Sequence, residues 1–244
     1  MKVIVSTCDK YCNAVEALKY TLEKHGGADW DVTVLGFKQP NFNLGDWKFV
    51  SLGEDIGPGN LSNDLWKFFE TFDDEFFIWL NDDIVIVDDI DHELLNDMIN
   101  KIKNNSQIGR ICITSATKMH YMNYPIYENN GNFQYREVPQ TAEYRLSLNT
   151  SLWRTSYFKK YCTQGAGNWV WETRKDAIND GVTILGTTGR YVLDFGHLFR
   201  YGNYTMSNLW WASEYTGKSL SEHDLSHVVS ILKNNYPLNN IQII

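Results

Sequence analysis

The chain is expected to fold as an α/β protein around a mainly parallel sheet, on three observations. Short strand-like apolar runs alternate with helical stretches through the first half, the pattern of βαβ units. The run Phe76-Phe77-Ile78-Trp79-Leu80 is continuously apolar, as in a strand covered on both faces. That run ends directly in Asn81-Asp82-Asp83, and open α/β sheets bind ligands outside the carboxyl ends of their strands.

The elements follow in order. Residues 3–6 form a first strand, followed by a polar loop through Asn13. Ala14, Ala17, Leu18 and Leu22 keep helical spacing up to His25-Gly26-Gly27, which stops the helix. Residues 31–37 alternate like a strand, and residues 48–52 form another. Gly57-Pro58-Gly59-Asn60 is a loop, after which Ser62 or Asn63 caps a helix carrying Leu65, Phe68 and Phe69. The strand at 76–80 comes next. Asp91 caps a helix with Leu94, Leu95, Met98 and Ile102 on its face, and residues 110–114 make a short strand. Residues 119–140, rich in Tyr and Asn, read as a loop or hairpin insertion. Strands are expected at 145–149, 181–185 and 191–195, and helices at 156–161, 169–179 and 221–232. No repeat or low-complexity linker divides the chain, so its 244 residues are read as one domain.

Composition narrows the function. A formal net charge of -8 argues against binding a nucleic-acid backbone, which needs a basic stripe. It leaves room for a phosphorylated small ligand, because a metal ion can supply the positive charge. Aromatic residues reach 14%, an excess that suits surfaces stacking on planar or sugar-ring ligands. No segment approaches the roughly 20 apolar residues of a membrane-spanning helix, and the apolar start is interrupted at Cys8-Asp9-Lys10, unlike a signal peptide. Cys8, Cys12, Cys112 and Cys162 are widely spread and read as reduced thiols, so a cytoplasmic location is expected.

The chemistry concentrates in a few places. Carboxylates ending a buried strand need solvent, a hydrogen-bond partner or a cation. Asp82 and Asp83 therefore suit a hard divalent ion such as Mg²⁺ or Mn²⁺; an acidic turn after a core strand is the alternative. Asp88, Asp89 and Asp91 read as a solvated acidic face. Glu172, between Trp169 and Trp171 and the following chain, is either a base in an apolar setting or a carboxylate favoured by a helix dipole.

Taken together, the first βα unit, Asn81-Asp82-Asp83, Ser147-Leu148-Asn149-Thr150-Ser151-Leu152-Trp153-Arg154 and Trp169-Val170-Trp171-Glu172 resemble the GT-A glycosyltransferases, in particular their small viral and bacterial members. The resemblance covers roughly residues 1 to 200 and rests on the order of the motifs. It implies a GT-A-like, Rossmann-like α/β/α sandwich, with a nucleotide-binding half at 1–115 and an acceptor-binding half with the C-terminal tail at 116–244. The activity implied is transfer of a sugar from a nucleotide-diphosphate sugar donor to a hydroxyl acceptor, a glycan or another molecule, with Mn²⁺ or Mg²⁺ as cofactor.

By that resemblance Asn81-Asp82-Asp83 takes the place of the Asp-x-Asp motif, with Asn81 as the departure. Asp83 is then the metal ligand, while Asn81 and Asp82 reach the ribose or a metal-bound water. Thr7, Asp9 and Tyr11 hold the base and ribose, and Asn63 borders the nucleotide-sugar pocket. Glu172 is the base of an inverting displacement, and His197 adds a second metal ligand. Arg190 or Arg200 offsets charge on the departing diphosphate. Trp153, Trp210, Trp211, Tyr121, Tyr124 and Tyr127 are candidate sugar platforms. A retaining transferase, or a binding protein on the same fold that lacks catalysis, are the other readings of this pattern.

Overall fold

The structure, a computed structural model, describes residues 1–115, 121–162, 165–200, 203–204, 216 and 218–236. Nine strands share one sheet, in the order β3-β2-β1-β4-β9-β6-β10-β8-β7. These are β1 Lys2–Ser6, β2 Asp31–Gly36, β3 Lys48–Ser51, β4 Phe76–Asn81, β6 Ile108–Cys112, β7 Ile126–Asn129, β8 Gln134–Glu137, β9 Ser151–Arg154 and β10 Thr183–Thr188. Seven run the same way; β9 and β8 are reversed. β9 lies between β4 and β6, so both halves of the chain build one sheet.

Alternation along the strands divides the core into two layers. Val3, Val5, Ile78 and Leu80 face one side, with Leu18 and Leu22 of α1 (Val15–Leu22) and Leu94, Met98 and Ile102 of α3 (His92–Asn104). Ile4, Phe77, Trp79 and Trp153 face the other, with Leu65 and Phe69 of α2 (Leu61–Phe69) and Phe158 and Tyr161 of α4 (Thr155–Tyr161). A strand whose successive side chains both meet apolar layers must be apolar throughout, which is why residues 76–80 carry no polar side chain. The Asp91 carboxylate caps α3 by accepting from the Leu94 N–H at 3.0 Å, as expected. Gly26, at φ 100°, ends the turn after α1 in a conformation that favours glycine.

Several boundaries differ from the sequence expectation. Residues 145–149 are not a strand. Arg145 is drawn into the interior, Ser147 N–H closes a turn on the Tyr144 carbonyl at 2.9 Å, and β9 begins only at Ser151. The helix expected over 169–179 is α5, Asn168–Glu172, and a separate 3₁₀ turn, Lys175–Ala177. Thr173 Oγ1 donates to the Trp169 carbonyl at 2.8 Å, and Asn179 sits at φ 57°, outside helical space. The strand expected over 191–195 is instead β11, Phe195–His197, which pairs antiparallel with a short β5, Ile84–Ile86. The tyrosine-rich insertion is a hairpin, β7–β8, as one of its two readings had it. Helix α2 starts at Leu61 with no side-chain cap, so neither Ser62 nor Asn63 caps it.

The last helix, α6 (Glu222–Asn235), packs Val228, Ile231 and Leu232 on Ala14, Ala17 and Val85. Its polar fastening is Asp224. Tyr20 Oη donates to Asp224 Oδ1 at 2.7 Å, and Lys24 and the Ser221 hydroxyl also bond the carboxylate. Burial pushes the Asp224 pKa up, but these three donors outweigh it and hold the carboxyl well below the usual carboxylate range. A depressed folded-state pKa stabilises above the unfolded value of about 3.9 and is lost as pH falls through the folded one. Urea midpoints measured from pH 6 down to pH 2 should therefore fall more steeply for the native chain than for Asp224→Asn, the gap between them closing below about pH 4.

Candidate functional site

The chain runs from β1 to β2 and β3 on one side of β1, then returns to place β4 on the other. The gap between β1 and β4 at their carboxyl ends is therefore the switch point of the sheet, where α/β folds leave a ligand crevice. In the parallel register Ser6 lies beside Asn81, so Thr7 and Asp82 emerge together. Thr7 Oγ1 donates to Asp82 Oδ2 at 2.6 Å.

A cavity of about 580 Å³ opens there. Of the residues expected to form the site, Thr7, Tyr11, Asn81, Asp82, Asp83 and Glu172 line it. The surrounding protein desolvates the Asp82 carboxyl, and with the Asp83 charge beside it pushes its pKa up to about 7; the Thr7 hydrogen bond acts in the opposite sense. Asn81 accepts from the Trp79 indole at 2.9 Å through its side-chain oxygen, which leaves its amide N–H groups for a ligand. Burial, and then the Asp82 charge, push up the Cys8 thiol in the same wall, so it stays protonated.

Asp83 is held differently. Its carbonyl accepts from Leu198 N–H at 2.6 Å, and the β5–β11 pairing sets His197 opposite Ile84. His197 Nδ1 then lies 3.5 Å from Asp83 Oδ2. Asp83 Oδ1 is buried with no hydrogen-bond partner among the described residues. Asp83 thus has one oxygen without a described partner and the other facing an imidazole, and the carboxylate is the ligand type that hard ions such as Mn²⁺ and Mg²⁺ take. Among the described residues no group of three His, Cys, Asp or Glu side chains gathers around a metal position. An ion held by Asp83 and His197 would complete its shell from ligand phosphate and water.

Glu172 ends α5. Its Oε1 accepts from the Leu148 N–H at 2.8 Å and from the Ser147 hydroxyl at 3.3 Å. β9 runs antiparallel to its neighbours, so the segment leading into it lies at their carboxyl ends and reaches the cavity rim. The apolar setting expected for Glu172 from Trp169 and Trp171 does not come from both rings. Trp171 is fully buried and donates its indole N–H to the Leu146 carbonyl at 3.1 Å, whereas Trp169 points outward. Residues two apart on a helix point to nearly opposite sides, so burial of Trp171 turns Trp169 to solvent.

Other expected residues serve elsewhere. Asp9 is exposed outside the cavity lining; Asp9 Oδ1 accepts from the Lys38 N–H at 2.9 Å and ties the β1 loop to the chain after β2. Asn63 faces away as well: it accepts from Gly165 N–H at 3.0 Å and donates to Asn60 Oδ1 at 2.6 Å, fastening α2 to the chain before α5. Arg190 is paired with Asp91 and Glu93 rather than with the site. Trp153 and Tyr121 are core residues, and Tyr127 sits exposed on the hairpin. Trp210 and Trp211 lie outside the described residues, as does the Arg200 side chain.

Two carboxylates were missed. Asp55 lines the cavity and accepts from the Asp9 and Gly57 N–H groups, each at 3.0 Å. The strand-end rule that singled out Asp82 applies equally to the chain after β3. Asp64 is buried, bonds Asn60 and Lys67 through Oδ1, and has no described partner on Oδ2. Its spacing of three from Leu61 and four from Phe68 puts an acid on the apolar stripe of α2, a signal visible in the sequence.

No known protein-family profile and no curated protein sequence matches the chain. Among solved structures, it is similar to Staphylococcus aureus TarS residues 1–349 in complex with UDP-GlcNAc, with a TM-score of 0.51 at 14% identity over 98% of this chain and 74% of that one. The fold is GT-A. Weaker likenesses, which add nothing to that conclusion, are to a longer S. aureus TarS structure (TM-score 0.48, 13% identity, 97% of this chain and 43% of that one) and to an active-site mutant of LgtC (0.42, 11%, 76% and 72%). The chain thus spans less than half of the longer TarS chain. In GT-A terms, Asn81-Asp82-Asp83 follows the strand beside β1, and β9 is the reversed strand within the sheet.

Placing Asp9 as a loop fastener makes a stability prediction. Asp9→Ala leaves the Lys38 N–H without its acceptor and should cost about 0.5–1.5 kcal/mol in urea denaturation. Asp9→Asn keeps an acceptor oxygen and should restore most of it. Equal losses in both variants would show that Asp9 acts through its charge instead.

Proposed function

We propose that the chain transfers a sugar from a nucleotide-diphosphate donor to a hydroxyl acceptor, with inversion by direct displacement. The observation that carries this reading is the convergence of Thr7, Asp82, Asp83 and Glu172 on one cavity at the β1/β4 switch point of a GT-A fold. A solved structure of similar fold holds UDP-GlcNAc, which supports a nucleotide sugar as the donor class.

Charge supports a divalent cofactor. Among the described lining residues stand five carboxylates, Asp55, Asp64, Asp82, Asp83 and Glu172, against one basic residue, Lys10. A diphosphate entering such a wall meets repulsion unless a cation intervenes. Asp83 and His197 would hold Mn²⁺ or Mg²⁺. When bound, the ion neutralises charge that develops on the departing diphosphate.

The chain's own groups do the rest. Asn81 offers amide N–H groups to ribose hydroxyls, and Tyr11 offers its ring to the base. Glu172 Oε1 is fixed by Leu148 and Ser147, while no described residue bonds Oε2. That oxygen takes the acceptor hydroxyl proton as the hydroxyl oxygen attacks the anomeric carbon. The bond from that carbon to the diphosphate oxygen breaks, and its electron pair leaves with the nucleotide diphosphate.

Two variants test the reading. Asp83→Ala should abolish the Mn²⁺-dependent part of nucleotide-diphosphate binding, measured by calorimetry, with the melting temperature of the ligand-free protein kept; unchanged Mn²⁺-dependent affinity removes Asp83 as the ligand. Glu172→Gln keeps the Leu148 contact and removes the basicity. It should bind nucleotide diphosphates normally and turn over about 10²-fold or more slowly, without the acidic limb of the pH–rate profile. Near-native turnover in that variant would leave Glu172 as a residue that only positions Leu148.

A further inference from the structure

Beside the donor cavity lies a second one, of about 690 Å³, in the half of the chain that β9 attaches to the sheet. Its wall includes Tyr124, Thr141, Glu143, Tyr144, Ser147 and Asn149, a set of hydroxyls, an amide and a carboxylate. The two cavities share the segment running from Tyr144 to Asn149. Ser147 lines the second, Leu148 lines the first, and both bond Glu172.

At the rim stand two rings that no core residue covers. Trp169 is 66% exposed and Tyr144 is 42% exposed. They meet edge to face, with centroids 5.9 Å apart at 70°. Large aromatic side chains normally bury such area, and here the exposed pair stands where Tyr144 joins a cavity wall of mixed polar and apolar groups.

The backbone holds both rings in place. Tyr144 takes a φ of 58°, a conformation unfavourable for a side chain of its size. Such a conformation persists where the surroundings over-determine it. Here the next residue, Arg145, is buried and donates to Ala177, Val138, Pro139 and Val182 carbonyls and to Asp180 Oδ1. With Arg145 pinned inward, Tyr144 is turned outward. Trp169 is fixed from the other side. Gly167, just before α5, packs so closely that an added Cβ would meet Gly59 Cα and the Pro58 carbonyl, each at 2.9 Å. Trp171, two residues on, is locked in the core.

We infer that Tyr144 and Trp169 form a stacking platform for a sugar ring of the acceptor, which makes the acceptor a glycan. The inference rests on the proposed transfer for its meaning, though not for its geometry. A pyranose has an apolar face of C–H groups and a rim of hydroxyls. The ring pair matches the face, and the cavity's hydroxyl, amide and carboxylate groups match the rim. Tyr144 lies three and four residues from Ser147 and Leu148, which bond Glu172, and Trp169 lies three residues before Glu172, so a ring bound there sits on the side of the site where the base is held. A small alcohol or a flat nucleobase would leave the polar wall unmatched.

The test uses the full chain on a glycan array carrying mono- to tetrasaccharides of both anomeric configurations, beside a thermal-shift series with UDP, GDP, ADP and CDP in the presence of Mn²⁺. The native protein should retain a subset of glycans. Trp169→Ala and Tyr144→Ala should bind them about tenfold more weakly or worse, the scale of one covered ring. Trp169→Phe should recover part of the loss, and nucleotide-induced shifts should stay unchanged in every variant. Equal glycan binding by the native and alanine proteins, or none by the native protein, overturns the platform. So does a native dimer that Trp169→Ala dissociates, which would assign the patch to self-association. Absence of any nucleotide shift alongside a glycan loss specific to these two residues would overturn the proposed transfer and leave the platform standing.

Discussion

The parallel pairing of β1 with β4 is the constraint on which the site depends. It sets Ser6 against Asn81 and so brings two polar strand ends to one crevice. Asp82 is desolvated there, and the Thr7 hydroxyl at 2.6 Å satisfies one of its oxygens. With that oxygen occupied, the unsatisfied carboxylate oxygen at the strand end belongs to Asp83. Two adjacent aspartates thus differ in their partners, one oxygen of Asp82 tied to Thr7 and one oxygen of Asp83 buried without a described partner. The difference comes from their partners, since the residue type is the same.

The second constraint is the reversed strand β9. Antiparallel strands begin where their parallel neighbours end, so inserting β9 between β4 and β6 carries residues 144–149 to the ligand side of the sheet. Arg145 then anchors this segment from within, as a buried guanidinium paired with Asp180 and four carbonyls. Removing one partner of such a buried pair costs more than the pair contributes to stability, which makes it a device for holding one geometry. Glu172 reaches the same place from α5, whose approach is tied to α2 by Ser62 bonding Ala166 and Asn63 bonding Gly165. The crevice at the β1/β4 strand ends, Glu172 and the exposed ring pair are therefore joined through the segment 144–149 and α5.

Strongly acidic surroundings fit this arrangement. The chain carries a formal net charge of -8, and among the described residues lining the crevice five carboxylates stand against one lysine. In the proposed reaction that imbalance makes affinity for a diphosphate conditional on a cation, which couples donor binding to metal. Asp88 and Asp91, by contrast, pair with Lys218 and Arg190, and Asp89 lies 3.0 Å from the His25 ring. They carry structural charge outside the crevice.

Much of this was legible in the chain itself. Apolar runs, alternating or continuous, and helical stripes depend on burial of one residue at a time, so they identified β1, β2, β4 and α3 and the α/β class. The pairing of an apolar run with terminal acids marked Asp82 and Asp83 for the same local reason. Tertiary contacts decided the rest. Residues 145–149 have a strand-like pattern, but the Arg145 side chain is drawn inward to the Ala177 carbonyl and Asp180, and the strand begins at Ser151. Asp9 and Asn63 are polar residues near the right strand ends, yet only the fold shows that backbone N–H groups of Lys38 and Gly165 claim them first. The roles of Asp55, Tyr144 and Trp169 likewise depend on which surfaces other segments cover. A sequence states what a side chain can bond, whereas the neighbour it bonds is fixed by long-range packing, and that packing sets which groups stay open to a ligand.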